Sequence, residues 1–495
     1  MTNHQSPNDP MTHSPSIQLH STDLHVLMIN TRMPFKYGIA TLTRTPHLFV
    51  SVQAEIYGQR QQGVAADNLP PKWFTKDPQS SFQADLAEMV AVIRSACRLA
   101  AEVQSAATIF DFWWQLYQAQ AAWGAAQGYP PLLWNFGVSL VERALIDAFC
   151  RAQQTPFALA VRSNHLGIDL GHVHPALAGR QPAEFLPPAP LTELIARHTV
   201  GLSDPLRDRD IPAAERVDDG LPQSLAACVA HYGLTHFKIK VNGDPTADLA
   251  RLREIRAVLD ETTGGHYAFT LDGNEQFKSV ERFQTFWAEL RATMPSLLEH
   301  LIFVEQPFHR DLALSDEVKQ VLTRWQERPP IIVDESDGSL AALPRALECG
   351  YYGSSHKNCK GIFKGLANFC LIQSLRQQHP AHPYIMSGED LTNIGPVALL
   401  QDLAVLATLG IDHAERNGHH YFAGLSMLPP ALQAEMQAAH GDLYQAGPGF
   451  PTLAITDGKV ALQSITQAPF GLQLTFDPAQ FMPLDDTIYE KLSEK

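Results

Sequence analysis

The chain has 495 residues, 45% of them apolar and 18% charged, with a formal net charge of -15. That is the balance of a globular protein long enough for more than one structural unit. The acidic excess argues against nucleic acid and anionic membrane surfaces as bulk partners, and no run approaches the 18 apolar residues that a membrane span needs.

The six cysteines are scattered without a C-x-x-C pair and read as reduced, mostly buried thiols of a cytoplasmic protein. The opening stretch MTNHQSPNDPMTHSPS is polar and Pro/Ser-rich, so a disordered tail over 1–18 is expected and a signal peptide is not.

From 19 to 160 the pattern predicts an α+β domain. The runs IQLHSTDLHVLMI and GIATLTRTPHLFVSVQAEIYGQ alternate as strands of a small antiparallel sheet. Between them Arg32–Gly38 reads as a loop rich in cationic and aromatic groups. Residues 68–78 form a Pro-broken loop with an exposed-looking Trp73–Phe74 pair. From about 80 the period becomes helical in three successive segments. Phe110, Phe112, Trp113, Trp114 and Tyr117, at helical spacing, read as core.

A Pro/Gly/Asp-dense stretch separates this unit from a second one over 190–425. HTVGLSDPL (198–206) offers a first strand there. Strand and helix patterns then alternate through HFKIKV, YAFTLDGN, LIFVEQP, IIVDES, YYGSSHK, YIMSG and IDHAE. Eight strands separated by helices predict a closed parallel barrel of the α/β class. Residues 426–495 return to short β runs, expected to pack back on the first domain.

The strand ends carry the chemistry. Residues two apart on a strand share a face, which groups Lys238 with Lys240 opposite Phe237 and Ile239. The same rule places Asp272, Glu305 and Asp334 on inward faces at successive strand ends. Such ends form the mouth where α/β barrels keep their sites. Three converging carboxylates require a cation, and an all-oxygen set favours Mg2+ ahead of Mn2+ or Ca2+. Lysine neighbours and that cation would lower a lysine toward the range of a general base. The same cation would stabilise the dianion formed when a carbon beside a carboxylate loses its proton.

Lys238-Ile-Lys240, Asp272-Gly-Asn274, Val304-Glu305-Gln306-Pro307, Asp334-Glu335-Ser336 and Lys357, with successive carboxylates 33 and 29 positions apart, resemble the enolase superfamily. The closest likeness is to its muconate lactonizing enzyme/mandelate racemase branch. The resemblance covers roughly 20–425 and implies a (β/α)7-8 TIM-type barrel under an N-terminal α+β capping domain. It implies Asp272, Glu305 and Asp334 as metal ligands, Lys240 and Lys357 as acid/base groups on opposite faces of a substrate, and Lys238 as a tuning lysine. Asn274 and Glu335 would support the ligands, and Glu415 would be a hydrogen-bonding or electrophilic acid. The implied activity is abstraction of the α-proton of a small carboxylate through a metal-stabilised enediolate. Racemisation or epimerisation, cycloisomerisation or dehydration would follow, making the protein an isomerase or lyase. Relatives of this kind are often symmetric homo-oligomers.

Two departures matter. A Gly-Gly pair usual after the sixth strand is replaced by Lys357-Asn-Cys-Lys360-Gly361, with Lys364 following. The seventh strand ends in Ser387-Gly388-Glu389-Asp390, where a histidine-using branch would place its base. Substrate contacts are expected from the capping loops at Arg32, Tyr37 and Trp73, with Lys36 and Lys72 beside them. Two other readings compete. His172-Val-His174 has the H-x-H form of an amidohydrolase-type hydrolase, and the barrel could bind a metal without catalysing anything. His419–His420 reads as a loop pair packed on the cap.

Overall fold

The computed structural model describes residues 17–485, so the tail expected over 1–18 lies outside the described residues except for Ile17 and Gln18. These two begin the first strand. An antiparallel sheet opens the chain, formed by β1 (Ile17–Tyr37), β2 (Ala40–Ile56) and β3 (Gln59–Asn68) in that order. Three helices follow: α1 (Phe82–Val103), α2 (Ile109–Gln127) and α3 (Pro131–Ala152). Ser81 and Thr108 cap the first two by accepting from the backbone N–H of Ala84 and Asp111, and proline opens the third. Helix α3 is buried almost all round because it lies between α1 and the sheet. Glycine makes both approaches possible. A Cβ on Gly63 would stand 2.0 Å from Ala144 O, and one on Gly137 would stand 2.3 Å from Val92 O.

The segment Arg32–Gly38, expected as a loop, is mostly strand. Pairing with β2 shifts register between Asn30 and Phe35, so Thr31–Pro34 bulge out and Phe35–Tyr37 resume the ladder. Pro34 brings no N–H to the ladder, which suits it to a bulge.

The second unit is a closed ring of eight parallel strands. They are β4 (Glu193–Val200), β5 (His236–Lys240), β6 (Ala268–Asp272), β7 (Leu301–Glu305), β8 (Ile331–Val333), β9 (Gly353–His356), β10 (Ile385–Gly388) and β11 (His413–Arg416). Each pairs with the next, and β11 pairs in parallel with β4 to close the ring. The first strand begins five residues earlier than HTVGLSDPL suggests and ends at Val200. Beyond it Asp204 Oδ2 accepts from the Gly201 N–H at 2.7 Å, folding Gly201–Pro205 into a turn. Phe237, Ile239, Phe269 and Leu271 are fully buried on the outward faces of their strands, leaving Lys238, Lys240 and Asp272 for the interior.

The C-terminal segment reaches both units. Lys459–Ala461 runs antiparallel to β4, and Met482–Pro483 pairs with His25–Val26 of β1. All six cysteines are buried and free, and no helix among the described residues is long and apolar enough to cross a membrane.

Candidate active site at the barrel mouth

Asp272 and Glu305 end adjacent strands in direct register, and Asp334 follows the end of β8. All three are at most 1% exposed. The Lys238 ammonium lies among them, 3.1 Å from Asp272 Oδ2 and 2.8 Å from Glu305 Oε2. It also donates to Glu389 Oε2 at 2.6 Å and Glu415 Oε2 at 2.9 Å. Burial alone would lower this lysine, but the four carboxylates together hold it well above its ordinary value. Lys240 Nζ donates to Asp272 Oδ2 at 2.5 Å. Across the ring, Lys357 Nζ donates to Asp334 Oδ2 at 2.7 Å.

The acids do not titrate alike. Burial, with Asp272 and Glu389 beside it, pushes Glu305 well above the usual carboxylate range. Burial would raise Asp334 as well, yet Lys357 and Lys360 hold it well below. Glu305 has the Lys238 ammonium 2.8 Å from Oε2, but neither of its oxygens accepts a well-aligned hydrogen bond. Asn274 Oδ1 and Glu335 Oε2 are likewise buried without a partner. An all-oxygen cluster with unpartnered buried acceptors fits a hard divalent cation of the Mg2+ kind.

The turns after the strands are shaped for this cluster. Asn274 and Gln306 both adopt positive φ, 39° and 35°, an uncommon conformation for non-glycine residues. The Asn274 N–H donates to Asp272 Oδ1 at 2.8 Å, and its side chain reaches Glu335 Oε1 at 3.3 Å. Gln306 joins two strand ends: its Oε1 accepts from the Asp334 N–H at 2.8 Å while its Nε2 donates to Phe308 O and Ser336 Oγ.

The chain's departures from the expected motif are visible here. Lys360 folds under β9 and donates to Ser355 O at 2.6 Å and Asp334 Oδ1 at 3.1 Å. Lys364 pairs with Asp337 at 2.7 Å. Both ammonium groups are thus committed beneath the mouth rather than presented to it. Glu389, which has no role in the sequence reading, follows a strand end as Asp334 does. It accepts from Lys238 and from Arg197, whose guanidinium is fully buried. Thr199 Oγ1 donates to Glu415 Oε1 at 2.8 Å, fixing the acid of the last strand.

Above the carboxylates is a pocket lined by Lys240, Lys357, Glu415 and Asn417 from the barrel and by Phe35, Tyr37 and Trp73 from the capping unit. Trp73 and Phe74 are 5% and 2% exposed, which corrects the exposed-looking pair of the sequence reading. Arg310 explains the burial. It donates to Trp73 O at 2.8 Å and Phe74 O at 2.6 Å while paired with Glu275, drawing the capping loop onto the barrel. The Trp73 ring then lies 4.7 Å from Lys357 Nζ. Tyr37 presents its ring to the pocket and donates its hydroxyl to Pro71 O at 2.9 Å.

Other expected residues lie elsewhere. Arg32 is bidentate to Asp219 at 2.5 and 2.7 Å and also donates to Leu221 O, Pro222 O and His420 O, so it braces the capping unit instead of lining the pocket. Lys36 is exposed, and Lys72 is held by Ser80 and Asp85. His172 is exposed and faces Asp169 at 3.4 Å, whereas His174 is buried against Asn368 at 2.8 Å. The two histidines therefore form no shared metal site, which removes the basis for a hydrolase of that type.

With this geometry in place, comparisons with known proteins place the chain. Residues 221–427 match the enolase C-terminal domain-like family. Similar solved structures span nearly the whole chain. A muconate lactonizing enzyme from Pseudomonas fluorescens complexed with muconolactone is 15% identical with a TM-score of 0.58, covering 94% of this chain and 100% of that one. An enolase from Bradyrhizobium complexed with magnesium and mandelic acid is 17% identical with a TM-score of 0.57, covering 95% and 99%. An N-succinyl Arg/Lys racemase from Bacillus cereus is 14% identical with a TM-score of 0.53, covering 81% and 87%. No curated protein sequence matches this chain. The match of residues 221–427 makes the barrel unit similar to the enolase C-terminal domain-like family. The barrel under a capping domain is also the fold of the mandelate racemase and muconate lactonizing enzyme structures that this chain resembles.

Proposed function

We propose that the protein is a Mg2+-dependent enzyme that removes the α-proton of a small carboxylate substrate, with Lys240 and Lys357 as the acid/base pair. One observation carries this reading. Lys240 ends barrel strand two and Lys357 follows barrel strand six of eight, so they stand across the ring from each other and line one pocket. Asp272, Glu305 and Asp334 would hold the cation, with Asn274 and Glu335 supporting them. That cation would supply the positive charge that stabilises an enediolate. Lys240 removes the proton from one face, and Lys357 delivers a proton to the other or receives one from it. Lys238 stays protonated among its four carboxylates and keeps Glu415 and Glu389 in place. Glu415, facing the pocket, positions the substrate by hydrogen bonding. The aromatic roof excludes water from the reacting carbon. Racemisation, cycloisomerisation and β-elimination all begin with this step, and the substrate decides among them.

The experiment is proton NMR in D2O with Mg2+ over pooled carboxylic acids, reading loss of the α-proton signal. Exchange into one compound, abolished by EDTA, supports the enzyme and names its substrate class. Metal binding without exchange across sugar acids, N-acyl amino acids and dipeptides supports an inert metal-binding barrel.

A further inference from the structure

A second cluster lies on the outer side of β4, away from the carboxylates. Arg197 and Thr199 point into the barrel, so His198 between them points out, toward the helix Leu225–Tyr232 and the turn Gly418–Tyr421. There His198, Cys228 and His420 offer one ligand atom each, all within 4.8 Å of one another. We propose that these three residues form a second metal site, selective for a borderline-soft cation of the Zn2+ class.

The spacing suits such an ion. Cys228 Sγ stands 3.5 Å from His420 Nδ1. A tetrahedral zinc with metal–sulfur bonds of about 2.3 Å and metal–nitrogen bonds of about 2.0–2.1 Å holds those atoms about 3.5 Å apart. The second nitrogen of each ring also faces an orienting group, as ligating histidines require. His198 Nδ1 is 3.1 Å from His419 Nε2, which leaves Nε2 of His198 as its ligating atom. His420 Nε2 is 3.8 Å from Asp204 Oδ2. Asp204 is itself held by the Gly201 N–H at 2.7 Å and the Tyr421 hydroxyl at 2.6 Å. All three ligating residues are at most 2% exposed, so water does not compete for their donor atoms.

The donor set separates this site from the barrel mouth. Two imidazoles and a thiolate suit Zn2+ or Co2+, whereas Mg2+ takes oxygen. Binding would form one metal–sulfur and two metal–nitrogen bonds, keep one of the ion's own water molecules as the fourth ligand, and release the Cys228 thiol proton to solvent. The ion would tie together the first barrel strand, the helix after it and the turn that follows β11. Arg32 of the capping unit already donates to His420 O at 2.9 Å in that turn. The site would thus brace the seam where the ring closes and the cap docks.

The test uses the full-length protein purified without a polyhistidine tag. After dialysis against Mg2+ buffer, elemental analysis should find one zinc per chain. Metal-free protein titrated with Co2+ under saturating Mg2+ should develop the intense near-ultraviolet absorption of a cobalt–thiolate bond, complete at one equivalent. Cys228→Ser should lose the band, His420→Gln should weaken Co2+ binding at least tenfold, and Cys97→Ser in the capping unit should keep the band unchanged. Absence of the band in the folded wild-type chain overturns the assignment and leaves a hydrogen-bonded thiol–imidazole cluster. Its persistence in Cys228→Ser overturns it equally, and should that variant not fold, unchanged Co2+ binding by His420→Gln does so. The readout is a sulfur–metal bond, so it is independent of α-proton exchange at the mouth.

Discussion

The two flanks of the barrel mouth are built on opposite charge surpluses. Around Lys238, four carboxylates (Asp272, Glu305, Glu389 and Glu415) meet three cations, Lys238, Lys240 and Arg197. Around Asp334, two carboxylates, Asp334 and Asp337, meet three lysines, Lys357, Lys360 and Lys364. The difference shows in proton affinity: Glu305 is pushed well above the carboxylate range, and Asp334 is pulled well below it. Positive charge is therefore in short supply at Glu305, which shares the single Lys238 ammonium with three other carboxylates, and it is already supplied at Asp334. A divalent cation has the most to gain on the first flank and must share Asp334 with lysine on the second.

The sharpest break is Lys240→Ala. General acid–base groups contribute about 10²–10⁴-fold, so α-proton exchange should fall by at least that factor while Mg2+ affinity, read by calorimetry, is kept. Full activity in this variant would remove Lys240 from the mechanism. Next is Lys360→Ala, which leaves Asp334 and Ser355 O short of a donor in a buried site. Breaking such a pair costs about 3–5 kcal/mol, to be read in denaturant unfolding under EDTA. Glu305→Gln tests the other flank with the opposite sign. It removes one of four acids that share a single lysine, so stability in EDTA should hold or rise. The stabilisation by Mg2+, about 2.7 kcal/mol at a hundredfold excess over Kd, should vanish. If both variants behave alike, the charge asymmetry has no energetic meaning.

The smallest effect lies outside the mouth and serves as its control. His47 is buried in β2, and burial lowers it to about 4 against the rise from its hydrogen bond to Asn68. An unfolded histidine titrates near 6.5. The folded chain therefore binds fewer protons below that pH, and stability present above it is lost as pH falls from about 6.5 toward 4. At pH 5 the loss for this residue is about 2 kcal/mol, and His47→Gln should flatten that part of the stability–pH curve.

Much of the mouth was legible in the sequence because a two-residue repeat turns a motif into a direction. Lys238 and Lys240 read as inward because Phe237 and Ile239 had to be outward, and the carboxylates at later strand ends followed the same rule. Glu389 obeys that rule too, but its strand end, Ser387-Gly388-Glu389-Asp390, stands out in the sequence for the histidine it lacks rather than for the acid it carries. Arg197 falls outside the sequence reading because the strand expected from His198 begins five residues earlier, at Glu193. What could not be read depends on distant partners. Arg32 meets Asp219 across 187 positions, and Arg310 holds the carbonyls of Trp73 and Phe74 from 237 and 236 positions away. His198, Cys228 and His420 are likewise far apart in the chain and come together only through packing on the outer face of β4.

The closure of the ring sets an order on how the protein is made. Strand β4 finds its partner β11 only after about 215 further residues have been synthesised. At translation rates of about 5–20 residues per second, that is a wait of roughly 10–40 s. Until β11 arrives, Lys238 lacks Glu415, and one edge of the growing sheet stays open to other chains. The pocket is therefore among the last parts of the molecule to form on the ribosome, well after the capping sheet and helices that will roof it have emerged.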